Sequence, residues 1–424
     1  MIYVANITKY YDNVRALTDI NLEFHSQGFY AVMGPSKSGK TTLLNIIGSL
    51  EAPTTGKMMI NLENHDFRSS KKVDAYRRHF VSYIFEDNNL IETLSVFDNL
   101  YICINTVEAD KNRINMRIEK ELIELSLLDV KYKKVADLSL DEKQRVAVAR
   151  AALSHAKVII ADEPTNYLNS TNEKIILNKL KRMSKNTLVI VATKKELLAH
   201  LYADHIIKLK DSFVVGEVKK HKMNESIKLI PPINHHINYR YSNYIKIALN
   251  ELIDKKEKYM MIVVGLIFGM FGIFLGLVST SFAAIDTNQL PDTNLVEKAF
   301  QTTNNVSNLA LGTSIILILT VMVLIYSIFI DVSTENKDKI KVLRSLGYSK
   351  HAIYRIYNIQ HFILGIVSAM ILTFLIIVFL MLNYLFLRVS EANLLFDWSH
   401  ILLAYVLILN IPLLFSLLPV FKIS

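Results

Sequence analysis

The spacing of apolar residues changes character about half-way along the chain. Up to residue 215 they fall in short continuous runs: 29–33 (FYAVM), 158–161 (VIIA) and 189–193 (VIVAT), each followed by a turn and polar residues. Continuous apolar runs of strand length, alternating with helical stretches, predict a parallel sheet covered on both faces. Residues 216–240 carry the basic cluster Lys219, Lys220, His221 and Lys222 and the pair Pro231-Pro232, and are expected to form a solvated linker. From 241 to 258, Ile245, Ala248, Leu249 and Leu252 recur at helical spacing with Lys and Glu between them. That pattern predicts an amphipathic helix suited to a membrane interface. Four stretches follow, 259–280, 309–330, 362–385 and 401–420, with almost no charge. About 20 such residues cross a hydrocarbon core of about 30 Å, and a soluble core helix rarely runs so long without a polar face.

Charge assigns sides to these spans. Segment 331–357 carries Lys337, Lys339, Lys341, Arg344, Lys350 and Arg355, and is expected in the cytosol. Segment 281–308 carries Asp286, Asp292 and Glu297 against one lysine, and is expected outside. Both termini are then cytosolic, in a multi-pass protein of the cell membrane. The start MIYVANITKYYDN has no basic run leading into an apolar stretch, so no signal peptide is expected. The net charge of +9 over 424 residues is read as these cytosolic flanks, with membrane lipid and not nucleic acid as the partner. The 51% apolar content agrees with a membrane half. A single cysteine, Cys103, excludes an intramolecular disulfide framework. Gly265/Gly269 and Gly272/Gly276 have the spacing of a helix-packing face. No ionisable residue lies deep in a span, so ion-coupled transport is not expected.

The chemistry is concentrated in the first half. Gly34, Pro35, Ser36, Lys37, Ser38, Gly39, Lys40 and Thr41 follow the FYAVM strand and lead, through Thr42, into an apolar helical stretch. This is G-x-x-x-x-G-K-[ST] in its strand–loop–helix setting. Backbone N–H groups there cradle phosphates, Lys40 reaches the β- and γ-phosphates, and Thr41 offers a magnesium ligand. A second buried strand ends in Asp162 and Glu163. Asp162 is expected to hold magnesium through water, and Glu163 to polarise an attacking water as general base.

Together with Leu138-Ser139 and Gln144-Arg145 before the Asp-Glu strand, these motifs resemble the ABC ATPase family in order and in kind. The resemblance covers the whole first domain. It implies that Tyr11 stacks on adenine, that Ser139 belongs to the signature segment, and that ATP and Mg2+ are the ligands. The chain departs from the family at several points. The signature LSGGQ reads Leu138-Ser139-Leu140-Asp141-Glu142, and Asp141 adds a negative charge near the γ-phosphate. Like charges about 4 Å apart cost on the order of 4 kcal/mol at an effective dielectric of 20. Glu86 replaces the magnesium-sensing glutamine, Lys194 the switch histidine, Asn169 an aspartate, and Lys37 a glycine of the phosphate loop. ATP binding is expected and hydrolysis is expected to be slow, with Glu163 and Lys194 as the catalytic candidates and Thr41, Asp162 and Glu86 around the metal. Lys37 of one subunit is expected to face Asp141 of another.

The run from Ile340 to Tyr357 predicts a basic helix, a stop at Gly347, an N-cap at Ser349 and a second helix. It resembles the cytosolic coupling loop of the macrolide-exporter and cell-division permease family, in which the second helix docks on the ATPase. The external segment, 281–308, is too short for the independent domain by which some family members engage partners. The fold expected is therefore an α/β P-loop NTPase domain (1–215), a linker (216–240), an interfacial helix (241–258) and an all-α domain of four transmembrane helices (259–424). The function that the resemblance implies is that of a homodimeric or heterodimeric transporter acting on amphipathic or antimicrobial peptides. The alternative is a catalytically weak, nucleotide-gated signalling or structural subunit.

Overall fold

The computed structural model describes residues 1–105, 108, 110–220, 241–283 and 337–387, with isolated positions from 305 to 327. The chain divides into two compact units, Met1–Asn243 with Asp338–Ile353, and Tyr244–Lys337 with Tyr354–Ser424. The first unit opens with a hairpin, β1 (Ile2–Tyr11) and β2 (Val14–Phe24), and then enters β3 (Gly28–Met33) and α1 (Lys40–Ile47). β4 (Thr55–Ile60) and β5 (Glu63–Asn64) return beside β1 and complete an antiparallel sheet of order β2-β1-β4-β5. Then come α2 (Ser70–His79), β6 (Val81–Ile84), α3 (Val96–Ile104), α4 (Lys111–Glu124) and α5 (Leu140–Leu153). β7 (Val158–Asp162), α6 (Ser170–Met183), β8 (Leu188–Thr193), α7 (Glu196–Tyr202), β9 (His205–Lys210) and β10 (Phe213–Lys219) close the unit's main run.

The second sheet has the order β10-β9-β3-β8-β7-β6. β9, β3, β8, β7 and β6 are parallel, and β10 is an antiparallel edge. The three apolar runs of the sequence are its centre, β3, β8 and β7. Their continuity has a simple cause, because successive side chains enter opposite cores. Phe29, Ala31 and Met33 pack with α3, α4 and α5 on one face. Tyr30 and Val32 pack on the other with α1 and the antiparallel sheet. The hairpin was harder to foresee. Its register shifts between Val4 and Ile7, and Asn6 and Asp19 take left-handed φ values of 51° and 47°. These irregularities break the alternation that marks a strand. β10 also runs to Lys219, past the boundary expected at 215.

Residues 221–240, most of the expected linker, lie outside the described residues; after them the helices are α8 (Tyr241–Asp254), α9 (Lys256–Ala283), α10 (Lys337–Ser345) and α11 (Lys350–Leu387). The amphipathic stretch expected at 241–258 is thus interrupted between Asp254 and Lys256. Tyr244, Ile247, Ala248 and Glu251 are buried, whereas Ile245, Leu249 and Ile253 are exposed. Within the second unit the buried Glu251 accepts a hydrogen bond from Gln360 at 2.8 Å. The expected span 259–280 lies inside α9, and 362–385 inside α11. Among the described residues, the stretch Lys350–Val378 is long and apolar enough to cross a membrane. Span 401–420 lies outside the described residues, as do span 309–330 and segment 281–308 after Ala283 apart from isolated positions.

Within the first unit, α10 ends as its sequence predicts. Gly347 takes φ +80°, the Tyr348 amide donates to the Leu343 carbonyl at 3.0 Å, and the Gly347 amide to the Arg344 carbonyl at 2.9 Å. This is a Schellman-type stop. Ser349 caps α11, accepting from the Ala352 amide at 3.2 Å. The resemblance implies docking of the second helix, and its first residues lie in the first unit together with the turn and α10 from Asp338 onward. Arg78 of α2 donates to the Gly347 carbonyl at 2.9 Å, Lys341 sits over the Phe85 ring at 5.4 Å, and Tyr348 is buried. On α3, Cys103 donates to the Arg150 carbonyl at 3.7 Å, and burial pushes its thiol up to about 11.

Candidate functional site

The loop between β3 and α1 is built to leave donors unspent. Gly39 is the N-cap of α1 with φ 99° and no capping side chain, so the first helical amides point out of the helix end without partners from it. A side chain at Gly39 would strike the Ala16 carbonyl at 2.5 Å, and one at Gly34 the Ser38 hydroxyl at 2.6 Å. Lys37, where the ABC family has glycine, adopts φ 65° and is exposed, as is Ser36. Lys40 is buried and donates to the Gly34 and Pro35 carbonyls, both at 2.8 Å. Burial lowers its pKa, against the pull of Glu163 and Asp162.

Thr41, exposed at the helix start, donates its hydroxyl to Asp162 at 2.7 Å. The start of α1 and the end of β7 therefore bring together two of the three residues that the sequence proposes around a metal. Asp162 and Glu163 are 7% and 5% exposed, and burial raises both pKa values. Glu163 holds a left-handed backbone, φ 44°, a conformation costing about 1–3 kcal/mol. Its carboxylate accepts from the Lys194 amide at 3.3 Å and lies 3.9 Å from the Lys194 ammonium. Glu86, the third proposed metal residue, is held by the Asn166 amide at 2.8 Å.

Among the described residues, the Ser38 hydroxyl, Asp162 Oδ1 and Glu163 Oε1 are buried without a hydrogen-bond partner. The unspent Oδ1 of Asp162, on the carboxylate that Thr41 meets, fits a hydrated divalent cation. A buried lysine, glycines in close quarters and an uncapped helix end fit a polyphosphate. The residues present thus fit Mg2+ and a nucleoside triphosphate.

Tyr11 stands beside this loop, 41% exposed, and its hydroxyl is hydrogen-bonded to Glu51. Glu51 also accepts from Asn45 at 2.8 Å. Burial, with Glu51, pushes Tyr11 up to about 12 while Thr42 opposes. Glu51 was not foreseen, since nothing local in the sequence links it to Tyr11.

The signature segment differs most from expectation. Ser139 is the N-cap of α5 in a capping box: its hydroxyl accepts from the Glu142 amide at 3.2 Å, and its own amide donates to the Glu142 carboxylate at 2.8 Å. S-x-x-E is a legible signal of that arrangement. Asp141 is also engaged within its own chain. It pairs with Arg145 at 2.9 Å and accepts from Asn172 at 2.9 Å. Its charge is thereby offset locally, which reduces the like-charge cost anticipated for it and leaves it less available to Lys37 of a second copy. Asn169 caps α6, accepting from the Asn172 amide at 2.9 Å, a task in which Asn and Asp are equivalent.

Comparison with known proteins places this geometry. A family model described as ABC transporter matches residues 17–166. The uncharacterized ABC transporter ATP-binding protein MJ1508 of Methanocaldococcus jannaschii is 34% identical over 224 residues, 52% of this chain and 100% of its own. The chain belongs to the ABC transporter family. Its other end matches the FtsX-like permease C-terminal model over residues 310–424. An ABC transporter ATP-binding domain is therefore fused here to an FtsX-like permease domain. The same fusion brings in the macrolide export ATP-binding/permease protein MacB of Campylobacter jejuni, 29% identical over 309 residues, 68% of this chain. The chain spans 47% of the length of that relative. A dimeric, post-hydrolysis structure of the ATP-binding cassette MJ0796, bound to ADP and Pi, has a TM-score of 0.50 at 31% identity. It covers 53% of this chain and 100% of its own.

Proposed function

We propose that this ABC transporter binds Mg–ATP at the phosphate loop, hydrolyses it slowly as a dimer, and uses the cycle to export or neutralise amphipathic peptides at the cell membrane. The observation that carries the nucleotide part is that buried Lys40, Asp162 and Glu163 come together with Thr41, which is exposed at the helix start. On this reading Lys40 leaves its own loop carbonyls for the β- and γ-phosphates. The loop amides and Ser38 hold the same oxygens, and Tyr11 packs against the base. Thr41, Asp162 and Glu86 would hold Mg2+, which when bound would supply positive charge to offset that of the phosphate oxygens. Glu163 accepts the proton of the attacking water, and Lys194 favours the ionised form of that carboxylate against its burial.

Lys194 gives this reading a pH signature. Its amide and ammonium both lower the pKa of Glu163, against the burial that raises it. Lys194→Met removes the ammonium, so Glu163 holds its proton to a higher pH. The acid limb of the turnover profile is expected to move upward in pH. A profile that superimposes on the wild type would remove Lys194 from the mechanism.

The cargo reading rests on kinship with a macrolide export protein and on spans without ionisable residues at depth, which suit an amphiphile better than a coupled ion. Its test is growth of a peptide-sensitive host expressing the full chain. Resistance to cationic amphipathic peptides should rise severalfold and vanish with Glu163→Gln. Equal sensitivity with and without the protein would reject peptide cargo.

A further inference from the structure

We propose that a small cavity in the first unit, between α2, α5 and the α10–α11 turn, binds a tetrahedral oxyanion of phosphate chemistry. The cavity measures about 30 Å³, and Arg77, Arg78, Tyr83, Arg150, Ser345 and Tyr348 contribute to its wall. That is space for roughly two water molecules, the scale of a small oxyanion. Three arginines and no acidic residue line it.

Two of these guanidiniums are buried, Arg77 at 6% and Arg150 at 2% exposure. Among the described residues Arg150 meets no carboxylate: its donors go to the carbonyls of Asn89 at 2.7 Å and Tyr83 at 3.5 Å. Arg77 is paired with Asp74, yet its Nε is buried without a partner, and Arg344 of α10 adds a further positive charge nearby. Burial lowers Arg150 only to about 10, so it stays charged near neutrality. Arg77 is balanced by Asp74, but the buried charge of Arg150, met by carbonyls alone, is costly unless an anion joins it. Arginine's planar fork matches phosphate oxygens in pairs, which favours an oxyanion over a halide. Arg78 also donates to the Gly347 carbonyl. An anion held by Arg77, Arg78 and Arg150 would therefore tie α2 to the turn. Its source is either free phosphate or the phosphomonoester of a lipid headgroup. The site is separate from the nucleotide loop and does not rest on the function proposed above.

The test uses the full chain in detergent, on a Lys40→Ala background that disables the nucleotide loop. Inorganic phosphate is titrated by calorimetry at constant ionic strength. Saturable binding is expected, weakened at least tenfold by Arg78→Gln and also by Ser345→Asp, which sets a carboxylate in the cavity. A second arm offers mixed micelles containing phosphatidic acid. Binding of the lipid but not of free phosphate, lost in both variants, would assign the site to a headgroup and support the proposal. Thermal unfolding midpoints within a few degrees of the parent exclude loss of fold as the cause. Should Arg78→Gln unfold the turn, Ser345→Asp carries the comparison alone. Binding of neither probe, or binding indifferent to the substitutions in folded protein, overturns the proposal.

Discussion

Glu163→Gln lowers phosphate release by about 10²- to 10⁴-fold, the usual contribution of a positioned general base, while ATP still binds. The amide keeps the shape of the side chain and its place by Lys194, but takes up no proton. Three features make this residue the place to look: its burial, its left-handed backbone, and a pKa raised by burial but restrained by Lys194. The measurement is phosphate release by the full chain in lipid nanodiscs, with ATP binding followed on the same samples. A wild type that binds ATP tightly yet turns over no faster than the variant would instead favour a nucleotide-gated subunit, or a heterodimer whose partner completes the site.

Gly347→Ala is expected to release the α10–α11 turn from the first unit and to uncouple cargo-stimulated turnover while basal ATP binding persists. The left-handed φ of +80° costs a residue with a Cβ about 1–2 kcal/mol. The new methyl would also lie 2.5 Å from Arg78 Cβ, 2.7 Å from its Cα and 2.8 Å from its N. Two of those atoms belong to the backbone of α2 and cannot swing aside. A total near 1.4 kcal/mol already means about a tenfold loss of the docked form. Hydrogen exchange at 338–353 and in α2 should quicken together. Gly216→Ala in β10 is the control, since nothing lies within 4 Å of its added Cβ and its φ is not left-handed. Equal effects of the two substitutions would refute the role given to Gly347.

How far the sequence anticipates this molecule depends on the distance over which each feature is determined. β3, β7 and β8 were visible because both faces of each strand are buried, so every position in the run must be apolar. The phosphate loop was visible because φ 99° at Gly39 and the close approach of neighbouring backbone admit few residue types. The turn at Gly347 and the cap at Ser349 follow the same local rules. The antiparallel sheet escaped because bulges at Asn6 and Asp19 disrupt its alternation. Residues that hold the site from a distance escaped for another reason. Glu51 reaches Tyr11 across 40 positions, and Asn166 reaches Glu86 across 80, pairings that only the fold creates. Arg145 lay within reach, since it follows Asp141 by one helical turn.

Cys103 has a practical consequence. It is the one cysteine in 424 residues, and burial pushes its thiol up to about 11, away from the reactive thiolate form near neutrality. The native chain thus offers a nearly silent chemical background. Pairs of cysteines placed at exposed positions such as Tyr132 and Leu197 would take spin or fluorescent labels selectively. Distances could then be followed through a nucleotide cycle in the otherwise unaltered protein, with no native thiol to delete first.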